Sequence, residues 1–511
     1  MKLAVAALAI AVFAAGMRWG TFAVGGSDSY CYVHQAEGWA SGQLQPVETL
    51  ALEAPWPNGP LTFAPTGHIP SPTVRGAAVP ICPAGLSVVM APFLWAGKAT
   101  GTGGTGGAGW VFLVVPLFGA LLVWATYLLG TRFSTCVGVA SAVLVACSPA
   151  FLFQLMQPMS DVPAAALWVL ATALATSKRS HAPLAAGLVT SAAIFIRPNL
   201  LPIGAALGLW FVLDSDSGDG LFRTPTRAGV FAMGCVPGCL AVALIQQMFY
   251  GSPLSSGYGS LAGLFSVDHI APNATRYTTW MWQSHTPAWL LALAAPVLLP
   301  RGITFLLLSL AAVNVLCYLP YVVFNDWWYL RFLLPAIAIV LVLSLAVVDA
   351  VMRRWHAPSW PVLTALTIVL ASLFVREARV RQVFDLQRLE SRYVRAGSYV
   401  ASHLPANALV ITSWESGSVR FYGHRKTLVW DVLDAAWLDR AVAYSRSRGY
   451  EPYLLFEAWE EPLFRQRFAG SQTAALDWPP MAEIASQVRI YRPDDRARYL
   501  RGEAAPTDYA R

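Results

Sequence analysis

Eleven apolar blocks, most of them near the length of a membrane span, decide what this chain can fold into. They run over residues 3–24, 110–130, 133–153, 162–177, 183–196, 199–213, 229–250, 287–299, 303–324, 332–351 and 358–375. A helix needs roughly 20 apolar residues to cross about 30 Å of hydrocarbon. Composition agrees: charged residues make up 12% of the 511 and hydrophobic ones 56%, whereas a soluble domain carries about 25% charge. The reading is an α-helical polytopic membrane protein of about 11 spans over residues 1–375. A large loop, 25–109, follows the first span, and a soluble α/β domain occupies 376–511.

Loop charge sets the orientation. With the proline-broken block 79–97 read as interfacial or re-entrant, Lys2, Arg132, Lys178, Arg179, Arg223, Arg227, Arg301, Arg353 and Arg354 share one side. Arg75, Lys98, Arg276 and Arg331 lie on the other. The positive-inside rule makes the richer side cytoplasmic. Loop 25–109, the segments 154–161, 251–286 and 325–331, and the whole tail then face outward, which is an inner-membrane topology with a periplasmic or extracytoplasmic working face. Residues 1–15 read as a retained helix in preference to a cleaved signal. The net charge of +7 is shared between the short loops and the tail, and no basic stripe with interleaved aromatics points to nucleic acid.

The tail alternates strand-like runs, 408–413, 427–431, 453–457 and 487–491, with helical ones, 392–403, 435–448 and 460–468. That alternation predicts a small α/β layer domain without a Gly-rich phosphate loop. Its last residues, 494–511, read as polar and frayed. Residues 101–107 read as a Gly/Thr linker. Cys31 and Cys82 flank the same outer loop, so a disulfide between them is open on spacing, while the other five cysteines lie in apolar blocks and read as packing residues.

Four places carry residues suited to chemistry. Asp28, in Gly25-Gly-Ser-Asp-Ser-Tyr30, stands just beyond the first span. It reads either as a cap on the following helix or as a general base at the lipid–water boundary. Tyr30, His34 and Glu37 share a face of that helix. Asp161, in Ser160-Asp-Val-Pro163, repeats the Ser-Asp pair at another outward helix end. Arg197 is the only charge between residues 182 and 213 and predicts the apex of a tight hairpin, where it either snorkels or holds a phosphate. The loop 325–331 offers Asp326, Trp327, Tyr329 and Arg331; its aromatics suit an interfacial belt, and its arginine seeks a phosphate or carboxylate. The outer loop 251–286 adds Tyr258, His269, Arg276, Tyr277, Trp280, Trp282 and His285, without metal-ligand spacing.

In this order the motifs resemble the GT-C superfamily of membrane glycosyltransferases, in its bacterial branch related to protein mannosyltransferases and aminoarabinose transferases. The carriers are Gly26-Ser-Asp-Ser-Tyr30, Pro80-Ile-Cys-Pro-Ala-Gly85, Ser160-Asp161 and Arg331-Phe-Leu-Leu-Pro335. Two features differ: Asp28 is followed by Ser29 where protein mannosyltransferases have Asp-Glu, and Arg197-Pro-Asn stands where many relatives have lysine. The resemblance implies transfer of a sugar from a polyprenyl-phosphate donor to an envelope glycan or protein acceptor, with inversion. Asp28 and Asp161 would serve the reaction and Arg197 and Arg331 the donor phosphate. Tyr30, His34, Glu37, Asp326, Trp327 and Tyr329 are candidates to line the substrate. The motifs indicate no firm cofactor, and a divalent metal is left open. Two other classes remain beside it: a lipid-linked sugar transporter or flippase, and a non-catalytic assembly protein.

Overall fold

The computed structural model describes residues 1–101, 105–213, 224–503 and 506–510. The linker read over 101–107 includes residues 102–104, which lie outside that set, as does Arg223. Each apolar block is helical. Six helices are long and apolar enough to cross a membrane: Lys2–Trp19, Gly109–Gly130, Thr226–Tyr250, Arg301–Tyr318, Trp327–Arg354 and Ser359–Val380. The pair Thr135–Cys147 and Pro149–Leu155 passes the same test together, bent by 60°. The bend has a local cause: Ser148 accepts from Phe151 N and caps the second helix, whose first residue is Pro149; proline there starts a helix but cannot continue one. Four shorter apolar helices, Asp161–Ala175, Ala182–Ile196, Pro198–Leu213 and Pro287–Leu298, account for the remaining blocks. The last span runs past the boundary expected at 375, to Val380.

In a bilayer, small residues let helix backbones approach where the hydrophobic effect offers nothing. Gly187 packs against Phe231 O and the Gly234 Cα, and Gly238, one turn on, sits against Ser191 O. This seam clamps Ala182–Ile196 onto the long 224–250 helix. The Trp327–Arg354 helix is the most buried of the spans and forms the centre of the bundle.

The loop after the first span holds two helices that fix the site. Asp28–Ser41 and Ala84–Thr100 pack together, tied by a Cys31–Cys82 disulfide with Cα atoms 6.2 Å apart. Ser87 Oγ donates to Tyr32 O at 2.9 Å between the same two helices. Gly85, from the Pro-Ile-Cys-Pro-Ala-Gly motif, lies directly on the Phe195–Ile196 backbone. The Asp28 helix is thereby coupled, through a disulfide and a glycine contact, to the hairpin that carries Arg197. A short antiparallel hairpin, β1 His68–Pro70 and β2 Ala78–Pro80, closes the loop.

The tail is a six-stranded mixed sheet in the order β4-β3-β5-β7-β6-β8. The strands are β3 Ala408–Thr412, β4 Lys426–Val429, β5 Glu451–Glu457, β6 Ala482–Ile484, β7 Val488–Tyr491 and β8 Asp508–Ala510. β3 runs parallel to both neighbours and is buried at every residue, which is why it reads as an uninterrupted apolar run. One correction follows. The C-terminal residues expected to be frayed form a helix, Asp495–Leu500, and then β8, parallel to β6; three-residue strands lack the period that a sequence window detects. One face of the sheet has a core within the tail, and the other shares a core with the first loop. Val410, Leu455 and Ile490 pack one sheet face against Ala396 and Val400 of the helix Leu386–His403. On the other face Leu409, Ile411, Leu454 and Phe456 share a core with Leu50, Ala51, Trp56 and Phe63 of the first loop. Lys426 Nζ to Glu48 Oε1 at 2.6 Å and Arg448 Nη2 to Glu53 Oε2 at 2.9 Å border that joint.

Candidate active site

Both Ser-Asp pairs fold alike. Ser27 and Ser160 occupy the cap positions of their helices and make no side-chain capping bond; Asp28 and Asp161 are the first helical residues. The cap reading therefore fails for both aspartates. Each carboxylate instead takes an arginine from far away in sequence. Arg331 Nη2 donates to Asp28 Oδ2 at 3.0 Å. Arg197, at the apex of the Ala182–Ile196 and Leu201–Leu213 hairpin, pairs with Asp161 Oδ1.

The two pairs form one cluster. The Arg197 and Arg331 guanidinium carbons each lie 5.2 Å from the Phe332 ring centroid, within cation–π range. Arg331 is within electrostatic reach of Asp161 and Arg197 as well as Asp28, and its Nη1 donates to Met159 Sδ at 3.4 Å. Tyr318 stacks on Phe332 at 4.6 Å and accepts from Asn199 Nδ2 at 2.8 Å, so the Arg197-Pro-Asn turn uses both polar residues. Tyr32 OH donates to Ser160 Oγ at 2.8 Å, joining the two Ser-Asp segments. Tyr329 stacks on Phe324 at 3.8 Å and carries Arg331 over its face at 5.0 Å. Tyr258, from the 251–286 loop, comes within electrostatic reach of Asp28, Arg197 and Tyr321.

Exposure divides the cluster. The Asp161 and Arg197 side chains are 3% and 13% exposed, whereas Asp28 is 33% exposed. A buried pair is an architectural commitment, because breaking it strands a charge; Asp28 is the carboxylate that solvent or a substrate can reach. Arg331 Nε is buried with no partner among the described residues, so this guanidinium keeps a donor for a further acceptor.

The remaining candidates lie elsewhere. Tyr30 is buried against Gly417 of the tail and stacks on His34 at 4.9 Å. His34 Nδ1 meets His68 Nε2 at 3.1 Å; burial, then the nearby Arg420, pushes His34 down to about 4 and keeps both rings neutral. Burial pushes the Glu37 carboxyl up to about 7, opposed by Lys98. Trp327 packs on Phe153 at 5.2 Å under Arg381, and Asp326 is exposed at the start of its turn. Reading along the helix selected the Tyr30, His34, Glu37 face, which meets the tail. The face that meets the aspartates is Asp28 and Tyr32, one turn apart, a spacing that signals neighbours on a helix. Tyr318 and Phe332 carried no signal beyond their place at outer span ends.

Among the described residues no three His, Cys, Asp or Glu side chains gather where an ion could sit. A divalent cation takes several oxygen ligands, and two aspartates each occupied by an arginine do not fit that demand.

Chains of known structure share this architecture. ArnT from Cupriavidus metallidurans, solved bound to undecaprenyl phosphate, matches with a TM-score of 0.55 at 13% identity, over 99% of this chain and 99% of that one. The Archaeoglobus fulgidus oligosaccharyltransferase, solved tethered to an acceptor peptide containing an NVT sequon, matches at 0.52 and 12% identity, over 90% of this chain and 70% of that one. No family model and no curated protein matches the sequence. The chain shares the fold of these two proteins: a polytopic helical membrane domain with a C-terminal soluble domain.

Proposed function

We propose that the chain is a glycosyltransferase that moves a sugar from a polyprenyl-phosphate donor to a hydroxyl of an envelope acceptor, on the outer face of the inner membrane. The observation that carries this reading is the one-third-exposed Asp28 paired with an arginine that retains a free donor, beside a second, buried Asp–Arg pair. The fold likeness to ArnT, which binds undecaprenyl phosphate, supports the donor class.

The donor phosphate competes with Asp28 for Arg331. As the phosphate draws the guanidinium toward itself, the Asp28 carboxylate is released to accept a proton. The acceptor hydroxyl gives its proton to Asp28 while its oxygen bonds to the anomeric carbon. The bond from that carbon to the phosphate oxygen breaks on the opposite face, and the electron pair leaves with the polyprenyl phosphate. One displacement inverts the centre. The leaving group is an anion, so it calls for fixed positive charge rather than a strong acid. Arg331 supplies that charge, with Arg197 behind it. Asp161 holds Arg197 in place.

The outward orientation rests on the loop charges and on the Cys31–Cys82 disulfide, since disulfides persist in oxidising compartments. A reporter fused after Ser177 should be cytoplasmic; finding it outside overturns the sidedness. The function is tested by mass analysis of envelope glycans from cells with and without the protein. One glycan should lose a single sugar in its absence; an unchanged glycan profile contradicts the transferase reading.

A further inference from the structure

The chain between the first span and Asp28 is gripped by the soluble tail. Val24 N donates to Tyr422 OH at 2.8 Å. The Tyr393 ring lies against Gly25 so closely that a Cβ there would sit 2.1 Å from its Cγ. Gly26 adopts φ +58°, a conformation glycine takes without strain, and a Cβ on it would come 3.1 Å from Tyr393 OH and 3.5 Å from Trp414 Nε1. Beyond Asp28, Tyr30 presses on Gly417, where a Cβ would meet its ring at 2.4 Å. The tail thus touches the residues on both sides of Asp28, while Arg331 holds its carboxylate from the membrane side.

The tail also builds a rigid mount for Tyr393. Its hydroxyl accepts from Trp414 Nε1 at 2.6 Å and from Arg392 Nη2 at 2.9 Å. Arg392 is fixed by Glu457 at 3.0 Å and Glu390 at 3.1 Å, and Glu460 accepts from Trp414 N at 3.1 Å. A partly buried network of this kind favours one geometry. General-base catalysis needs that kind of control, because the base must stand about 2.6–3.2 Å from the proton it takes, and a misplacement of about 1 Å can cost roughly a hundredfold in rate.

We propose that Tyr393 is a positioning residue for Asp28: the tail sets the place of the carboxylate by stacking this ring on Gly25, and touches neither donor nor acceptor there. The inference rests on Asp28 being the base. It is tested on the full-length chain in detergent. Release of undecaprenyl phosphate is read from undecaprenyl-phosphate-linked mannose, glucose and aminoarabinose, whichever wild type consumes, with envelope extract as acceptor. Gly25→Ala pushes a methyl into the ring and should lower turnover at saturating donor by about ten- to a hundredfold, with the donor KM within about twofold. In Gly25→Ala combined with Tyr393→Ala the methyl has room but the ring is gone, so turnover should match that of Tyr393→Ala alone, the two losses not adding. Two losses that add would mean that Gly25 and Tyr393 act on turnover separately. Tyr393→Leu gives an independent arm: it should lose turnover at an unchanged donor KM while keeping a cooperative melt. Wild-type turnover in a folded Gly25→Ala or Tyr393→Leu protein, or additive losses in the double variant, overturns the proposal. Asp28→Asn run alongside separates the two ideas: if it is inactive while Gly25→Ala is fully active, positioning alone fails, and if it is fully active the base itself is misassigned.

Discussion

Arg331 reaches back across 303 positions to put Nη2 3.0 Å from Asp28 Oδ2. The first loop and the head of the central span are therefore joined through the charge pair proposed to do the chemistry.

The companion pair is expected to behave differently. Arg197→Ala leaves Asp161, 3% exposed, without its counter-charge. Removing one partner of a buried pair costs about 3–5 kcal/mol. Thermal unfolding should show that loss in Arg197→Ala, and Asp161→Asn added to it should restore part of it. Loss of donor binding in the single variant therefore reports stability as well as phosphate contact, and the paired variant separates them. Equal stability of Arg197→Ala and wild type contradicts the buried-pair assignment.

The eleven apolar helical blocks and four of the tail strands were legible because both rest on long-range periodicity, of apolar runs in one case and of alternation in the other. The site was legible only as separate residues. Asp28, Asp161, Arg197 and Arg331 were each selected for being charged at an outer helix end, yet nothing local states that they pair as Asp28–Arg331 and Asp161–Arg197. Tertiary pairing is set by how helices pack, through contacts such as Gly85 on Phe195. The same limit hid the joint between loop and tail. Leu50 and Trp56 lie in the first loop, and the sheet they cover explains their burial.

That joint predicts a stability effect in the full chain. Trp56 is 4% exposed within the shared core, and its Nε1 donates to Thr62 Oγ1 at 3.0 Å. Trp56→Ala should destabilise the tail by about 3–5 kcal/mol, the usual cost of emptying such a site, although no tail residue is changed. Protease resistance of the tail in full-length protein measures it; unchanged resistance would show that the loop merely covers the sheet.

Glu415 supplies a pH dependence. Burial pushes its carboxyl up to about 8, reinforced by Glu457, and Ser418 Oγ donates to it. In the fold the group keeps its proton until about pH 8, whereas in the unfolded chain it ionises near its ordinary value of 4.5. The unfolded state is then favoured increasingly as pH rises through that window. Glu415→Gln keeps the acceptor oxygen and removes the titration. It should raise stability at pH 8 by on the order of 1–3 kcal/mol and change it little at pH 5. Melting curves at the two pH values check the sign, and a gain confined to pH 5 reverses it.

The disulfide should matter for the site as well as for stability. Cys31 follows Asp28 within one turn, and Cys82 precedes Gly85, which seats the Arg197 hairpin. Cys31→Ala with Cys82→Ala should lower stability by about 2–4 kcal/mol, and added reductant should not lower it further. A melting temperature equal to wild type under oxidising conditions contradicts this.

The most direct test of the account is Asp28→Asn assayed in detergent with a polyprenyl-phosphate sugar, beside wild type. Asparagine keeps the shape and can still accept from Arg331, but it cannot take a proton. General-base catalysis is typically worth about 10²–10⁴-fold, so transfer should fall by at least about a hundredfold. Melting temperature and membrane abundance should stay near wild type, and binding of the polyprenyl-phosphate donor should be kept or tightened, because the arginine that meets the phosphate remains and has lost its competing carboxylate. Full transfer by a well-folded Asp28→Asn protein would contradict the account.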